Sequence, residues 1–352
     1  MTLKPENGTE PVVASEVWKL RLDLRGTAVM VFLFLVLIIY ILFLGLEQIW
    51  YAITAMNLLV LTLAIVVYYS TLLVRAIRWR VFLLSIEKEN PPPTLVDLFT
   101  LIVFSFAINN LFPVRMGELY RPYELSREKD YHFLSAAATI LLERTMDVIV
   151  MGGLVVGVLI LQGTTSMIGT SEIIQNLAFS AAIIGGFILF LFLLQNEKAT
   201  EFLLRVINAF VGILQKKIIA NEEATAREIV AQVSLMVKDR KNLVFGFLTG
   251  VLIWLLEGGT FWLVVVAANV NISPLVALAL LLLAGLIGNS IFSAAGLGQL
   301  PFMIAFMVIL GLSDITATSV SVTYLVVVFW LIIPVGIILH NVIGKGNSNK
   351  LK

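Results

Sequence analysis

A chain that sets Asn109-Asn110-Leu111-Phe112-Pro113-Val114-Arg115-Met116-Gly117-Glu118-Leu119-Tyr120-Arg121 directly after the apolar run Leu95–Ile108 has few ways to fold. The surroundings make it so. Of the 352 residues, 59% are hydrophobic and 13% are charged, whereas soluble domains carry about 25% charged residues. Several apolar runs reach the roughly 20 residues that a helix needs to cross a bilayer. The expected fold class is therefore all-α, a polytopic helical membrane protein. A β-barrel is disfavoured, because its strands would alternate apolar and polar residues. In such a chain, charge and broken backbone at membrane depth are tolerated only where they line a cavity or are buried in protein. Asn109–Arg121 is thus the first candidate functional segment.

The apolar pattern predicts spans at Thr27–Leu46, Ala52–Val74, Phe133–Leu161, Leu177–Leu194, Leu243–Ala268 and Thr318–Ile343. Residues 1–26 form an N-terminal segment, 27–343 one transmembrane domain, and 344–352 a tail. Within the domain, 196–242 interleaves charged and apolar residues at helical spacing and reads as an amphipathic insert. Two regions do not fit a simple span. The apolar run from Leu95 to Phe112 leads into the polar stretch Pro113–His132. Pro274–Leu312 contains two apolar pieces split by Ser293-Ala294-Ala295-Gly296-Leu297-Gly298-Gln299.

Basic residues orient the chain. They cluster at Lys4, Lys19, Arg21 and Arg25, at Arg75, Arg78, Arg80 and Lys88, through 196–242, and at Lys345, Lys350 and Lys352, whereas Gly45–Tyr51, Gly163–Asn176 and Asn269–Ser273 have none. Both termini are expected in the cytoplasm of a multi-pass plasma-membrane protein. The parity then requires Leu95–His132 to leave and return on the cytoplasmic face, and Pro274–Leu312 to do the same from the other face. The layout expected is about six full spans plus two re-entrant helical hairpins in an inverted repeat, an arrangement that brings broken tips together at a substrate site in transporters. The alternative is two ordinary spans in each region, which puts Arg115, Arg121, Arg127 and Lys129 outside.

Glu143, Arg144 and Asp147 lie within an apolar helix, where each charge costs roughly 2.5–3.5 kcal/mol on insertion scales. Glu143 and Asp147 share a face, and Arg144 and Asp147 are placed to pair. Arg144 is expected to meet an anion or a carboxylate of the first hairpin, or the set is an internal salt bridge. Arg115, Glu118 and Arg121 recur every third residue, Gly117 permits close approach, and Pro113 breaks the helix and leaves backbone groups to a ligand. Asn109 and Asn110 belong to the same tip. Arg75 and Arg78, with Trp79, read first as an anchor at the inner interface and second as headgroup contacts. Glu257, alone in its span, needs a partner, for which an arginine of the first hairpin is the expectation, or else it is protonated. Asn289, Gly296 and Gly298 would form the second tip, as ligands or as small residues that allow close packing.

With no cysteine and only His132 and His340 far apart, disulfides, thiol chemistry and a metal site are not expected. No phosphate-binding glycine loop, GxSxG or HExxH motif occurs, and no cofactor is expected.

Arg75-x-x-Arg78-Trp79, Asn109-x-x-x-Pro113-x-Arg115-x-Gly117-Glu118-x-x-Arg121 and Glu143-Arg144-x-x-Asp147 together resemble the lysylphosphatidylglycerol synthase transmembrane family, also called UPF0104 or flippase-like integral membrane proteins. The family's later Pro-Gly-Gly-Leu-Gly-acid signature reads Ala294-Ala295-Gly296-Leu297-Gly298-Gln299 here, with Pro301 near the place of the acid. The resemblance implies lipid translocation, with fused members flipping aminoacylated phosphatidylglycerol and archaeal relatives tied to polyprenyl-phosphate sugars. No soluble synthase domain is expected, so no enzyme activity is. The expected function is transport of a phosphate-bearing lipid, phospholipid or polyprenyl-phosphate in type, between leaflets. Asn109, Arg115, Glu118, Arg121, Glu143, Arg144 and Asp147 would line the headgroup site. The alternatives are an intramembrane enzyme on lipid-linked sugars and a non-catalytic subunit of an envelope or glycosylation complex. Membrane lipids are the expected partners; a homo-oligomer and a separately encoded lipid-modifying enzyme are left open, and no nucleic acid is expected.

Overall fold

The computed structural model describes residues 45–86, 93–111, 116–129, 131–168, 232–233, 236, 239–291 and 296–344, without the side chains of 159–168 and 289–291. The expected spans Thr27–Leu46 and Leu177–Leu194, and nearly all of the amphipathic insert, lie outside these residues. The described residues are helical throughout, with turns between and no strand among them. In chain order the helices are α1 (Leu46–Thr54), α2 (Leu58–Ile86), α3 (Leu95–Leu111), α4 (Met116–Lys129), α5 (Phe133–Ile168), α6 (Arg240–Ala267), α7 (Pro274–Ile291), α8 (Leu300–Ile309), α9 (Asp314–Leu325) and α10 (Ile332–Leu339). A π-helical turn, Val326–Trp330, joins α9 to α10, and another, His340–Gly344, follows α10.

Among the described residues, three helical stretches are long and apolar enough to cross a membrane: Leu58–Ile86, Arg240–Ala267 and Asp314–Val342. At 1.5 Å rise per residue each runs to roughly 40 Å, beyond the ~30 Å of a hydrocarbon core. By contrast α3 has 17 residues, α4 has 14 and α8 has 10. Each is shorter than the roughly 20 residues of a crossing. α3 packs on α4, and α7, with 18 residues, packs on α8, so each of the two irregular regions of the sequence is a pair of packed helices.

The second expected span is displaced. It was expected at Ala52–Val74, but α2 starts at Leu58 and runs on to Ile86. Two local causes account for the shift. Asn57 Oδ1 accepts the backbone N–H groups of Leu59 and Val60 at 3.0 and 3.2 Å, an N-cap that fixes the start. At the other end Arg75 and Arg78 do not stop the helix, because carboxylates of neighbouring helices meet them inside the protein. Asp239 caps α6 and Ser313 caps α9 in the same way as Asn57.

α6 lies along α2 in the most extensive helix contact among the described elements. Gly246 and Gly250, four apart on α6, make that approach possible. A Cβ at Gly246 would come within 2.6 Å of the Phe82 ring, and one at Gly250 would stand 3.4 Å from Arg78 Nη1. The main apolar core runs from Tyr68, Leu72 and Trp79 through Leu98, Ile102, Phe261 and Leu281 to Tyr324 and Ile332. Trp50, Leu59, Val66, Ile309, Ile338 and Val342 are exposed, as residues facing lipid would be.

Candidate functional site

The polar residues of the sequence converge at the junction of α2, α4, α5 and α6. Asp147 of α5 is the hub. Its Oδ1 accepts from Arg78 Nη1 at 2.8 Å, and its Oδ2 meets both Arg75 Nη1 at 3.2 Å and Arg144 Nη1 at 3.4 Å. Arg75 Nη2 donates to Glu257 Oε1 of α6 at 2.7 Å. Glu143 lies between Arg78, with Nε at 3.5 Å, and Arg121 of α4, with Nη1 at 3.2 Å. Arg144 Nε reaches back to Glu118 Oε1 of α4 at 3.5 Å. Among the described residues, four arginines and four carboxylates thus form one connected, charge-balanced cluster.

Burial divides the cluster into a core and a rim. The side chains of Arg78, Arg121 and Glu143 are no more than 1% exposed, whereas Arg144 is 19%, Glu118 21% and Glu257 14% exposed. Stranding one member of a buried ion pair costs about 3–5 kcal/mol, so the core groups hold one another in place. The rim groups are the ones that solvent or a ligand can reach. Unused hydrogen-bonding capacity is also uneven. Among the deeply buried atoms of the described residues, Arg75 Nε, Arg78 Nε and Nη2, Arg121 Nε and Nη2 and Arg144 Nε make no hydrogen bond, against one carboxylate oxygen of the cluster, Glu143 Oε1. The cluster is neutral in charge but rich in donors.

Aromatic rings floor the site. The Arg121 guanidinium stacks 4.9 Å over the Trp79 ring, and Arg75 sits 5.7 Å from the centre of Phe106. Trp79 Nε1 donates to Thr139 Oγ1 at 2.9 Å, which ties α2 to α5.

The first tip is built tightly. Asn109 Oδ1 accepts the Gly117 N–H at 2.8 Å and so caps the start of α4 from the end of α3. A Cβ on Gly117 would stand 1.9 Å from the Ser105 carbonyl oxygen, so only glycine lets α4 lie against α3 here. Asn110 Nδ2 donates to the Phe329 carbonyl at 2.7 Å, within the π turn. Such turns break the regular helical ladder and leave carbonyls to other donors. Pro113 and Arg115 lie outside the described residues. At the second tip, Gly296 has φ of +72° and packs against Leu325 and Phe329, and a Cβ on Gly288 would meet Gly298 O and the Gln299 backbone at 2.3–2.5 Å. Gly296 and Gly298 stand there as close-packing residues; the Asn289 side chain is outside those described.

Three sequence expectations meet the structure here. Arg144 does face a carboxylate of the first hairpin, Glu118. Glu257 does have an arginine partner, but it is Arg75 of α2 and not one from the hairpin. Arg75 and Arg78 are 4% and 0% exposed in the cluster, not interface anchors. Their i, i+3 spacing with Trp79 next to Arg78 held the signal, as did the excess of intramembrane carboxylates over the single cation Arg144 among the spans. Thr139, Phe106 and the Phe329 carbonyl carried no mark in the sequence.

The arrangement defines a helical membrane protein whose spanning helices enclose a neutral ion-pair cluster with a partly open edge. The model of the family described as "Lysylphosphatidylglycerol synthase TM region" matches residues 27–336, and the chain belongs to that family. It is 26% identical over 302 residues to a "UPF0104 membrane protein" of Methanothermobacter thermautotrophicus, covering 82% of this chain and 87% of the relative. No solved structure matches the chain.

Proposed function

We propose that this protein carries a phosphate-bearing lipid between the leaflets of the membrane, with the headgroup passing through the edge of the cluster at Arg144 and Glu118 and the tails remaining in the bilayer. The observation that carries this reading is Arg144: a guanidinium that is half-committed to two carboxylates at 3.4 and 3.5 Å, and partly open where its core neighbours are closed. A phosphate oxygen can replace Glu118 on such a group without unpairing the buried core. Charge-assisted contacts of this kind are the strong ones for phosphate. The donor surplus of the cluster favours an acceptor-rich ligand of the same type. Arg115, beside the tip in sequence, is proposed as a second phosphate contact, and Asn109 and Glu118 as groups that position the headgroup. Arg121, Glu143 and Asp147 act from beneath by holding Arg144 and α4.

This reading takes the α3–α4 and α7–α8 pairs as re-entrant hairpins of an inverted repeat, with about six full spans and both termini in the cytoplasm, in the plasma membrane. The short lengths of α3, α4 and α8 support it. So does the belonging to a family whose description names a lipid synthase's membrane region.

Purified protein in liposomes with fluorescent phospholipid, or polyprenyl phosphate, tests the function. The wild type should speed leaflet exchange. Arg144→Ala should reduce it by about tenfold or more, the scale of losing one charged hydrogen bond of 1.5–3 kcal/mol, while the protein stays monodisperse. No exchange of any phosphate-bearing lipid by the wild type would defeat the proposal, and chemical turnover of the lipid would favour an intramembrane enzyme instead.

A further inference from the structure

One oxygen joins the two open ends of the cluster. Asp147 Oδ2 takes Arg75 at 3.2 Å and Arg144 at 3.4 Å. Arg75 turns its other nitrogen, Nη2, to Glu257 at 2.7 Å, the shortest ion pair of the set. Glu257, Arg75, Asp147, Arg144 and Glu118 therefore form an unbroken alternating chain across α6, α2, α5 and α4. Both ends are partly exposed carboxylates, at 14% and 21%; Arg144 beside Glu118 is 19% exposed, and Arg75 and Asp147 between are buried. The groups around Glu257 are Arg75 and Tyr68 of α2, Tyr324 of α9 and, through Arg75, Asp147 of α5. α7, which also packs on α6, has no titratable residue.

We propose that Glu257 is a proton site coupled to the headgroup site at Arg144, so that a proton and an anionic phosphate bind together. The inference rests on the lipid-carrying reading above and adds a coupling ion to it.

The argument is one of charge and competition. Among the described residues, with all groups ionised, Arg75, Arg78, Arg121 and Arg144 balance Glu118, Glu143, Asp147 and Glu257. A net charge held in a low-dielectric interior is costly. A proton taken from the aqueous phase onto the Glu257 carboxylate makes the cluster +1, and the −1 of a phosphodiester restores neutrality. The same proton removes the Arg75 partner's charge. Arg75 then has Asp147 Oδ2 as its remaining anionic partner and competes there with Arg144. Arg144 is released toward the lipid phosphate. The proton leaves Glu257 when the phosphate leaves Arg144 and Arg75 returns to it; no covalent bond between heavy atoms changes. Linkage is reciprocal, so the lipid must favour protonation as much as protonation favours the lipid. Arg75 is a positioning residue in this scheme.

The test uses full-length protein in liposomes that contain a fluorescent anionic phospholipid and an entrapped pH dye, with and without a pH gradient. For the wild type, lipid exchange should change at least about fivefold with the gradient, the low end of usual site-to-site coupling, and net lipid movement should be accompanied by proton movement. Glu257→Gln, a permanently uncharged side chain that still accepts from Arg75, should exchange lipid at a rate indifferent to the gradient and move no protons. Glu257→Asp should restore the response. In detergent, a short-chain phosphatidylglycerol should bind the wild type more weakly as pH rises and bind Glu257→Gln equally at all pH values. Wild-type exchange that ignores the gradient, or Glu257→Gln that responds as the wild type does, would overturn the coupling and leave lipid transport standing. Absence of exchange in the wild type would remove both.

Discussion

Arg78 and Arg127 show how little a charge's identity says without its surroundings. Arg78 is fully buried between Asp147 and Glu143, while Arg127 pairs with Glu124 and Glu128 from a side chain that is 54% exposed. Replacing Arg78 by Leu leaves two carboxylates short of a cation in the core, and uncompensated burial of that kind costs about 3–5 kcal/mol. Arg127→Ala removes a cation that is itself exposed and is shared between the partly exposed Glu128 and the buried Glu124, so its loss costs less than that of Arg78. Thermal unfolding followed by the loss of monodisperse protein in detergent should put Arg78→Leu far below the wild type and Arg127→Ala between the two. Equal melting of the two would mean that the cluster is solvated. Much of this scale was legible beforehand. Glu143, Arg144 and Asp147 stand out because charge in an apolar run is rare, and their spacing forecast the Arg144–Asp147 pair. Arg75 and Arg78 were harder, since a basic residue near the end of an apolar run has an innocent explanation as an anchor. Only the partners on α5 and α6, far away in sequence, show that α2 continues past them.

Beside the apolar core, the helices meet at a few points where backbone meets backbone or a polar group meets a backbone atom. Gly117 is the most demanding of these. Its α-carbon faces the Ser105 carbonyl so closely that a methyl group would stand 1.9 Å from the oxygen, and both atoms belong to helix backbone that cannot rotate away. Gly117→Ala should therefore push α4 off α3 and carry Glu118 and Arg121 away from Arg144 and Glu143. Overpacking costs about 1–3 kcal/mol, and loss of the contacts to α5 adds to it. The variant should melt earlier than the wild type and lose lipid exchange, whereas Gly152→Ala, with nothing within 4 Å of a new Cβ, should do neither. The expectation of close approach at Gly117 was available from its place in the polar segment. The π turn at Val326–Trp330 was not. An apolar run such as Val326-Val327-Val328-Phe329-Trp330 has no feature that marks a wider turn, and the group that meets its Phe329 carbonyl, Asn110 of α3, lies far away in the chain.

At the scale of the whole molecule, the distribution of basic residues and the lengths of the helices bear on the same question, which is where each paired half-helix re-emerges. A pair that returns to its own face keeps Arg127 in the cytoplasm and leaves the α6–α7 loop outside; a single net crossing in Leu95–His132, with α4 beyond the membrane, reverses both. The chain has no cysteine, so single introduced cysteines report without background. Arg127 is 54% exposed near the end of α4, and Asn271 is exposed in the loop between α6 and α7. In intact cells, a membrane-impermeant maleimide should label Asn271→Cys and should label Arg127→Cys only after the membrane is opened. The reverse pattern would replace the re-entrant layout with a single crossing by α3. It would move Arg127 and Lys129 to the outer face, against the tendency of short cytoplasmic loops to hold lysine and arginine. The experiment also bears on mechanism, because only a re-entrant α3–α4 pair ends its polar tip within the bilayer. There Asn109, Glu118 and Arg144 could meet a headgroup partway through its passage, and not merely at one surface.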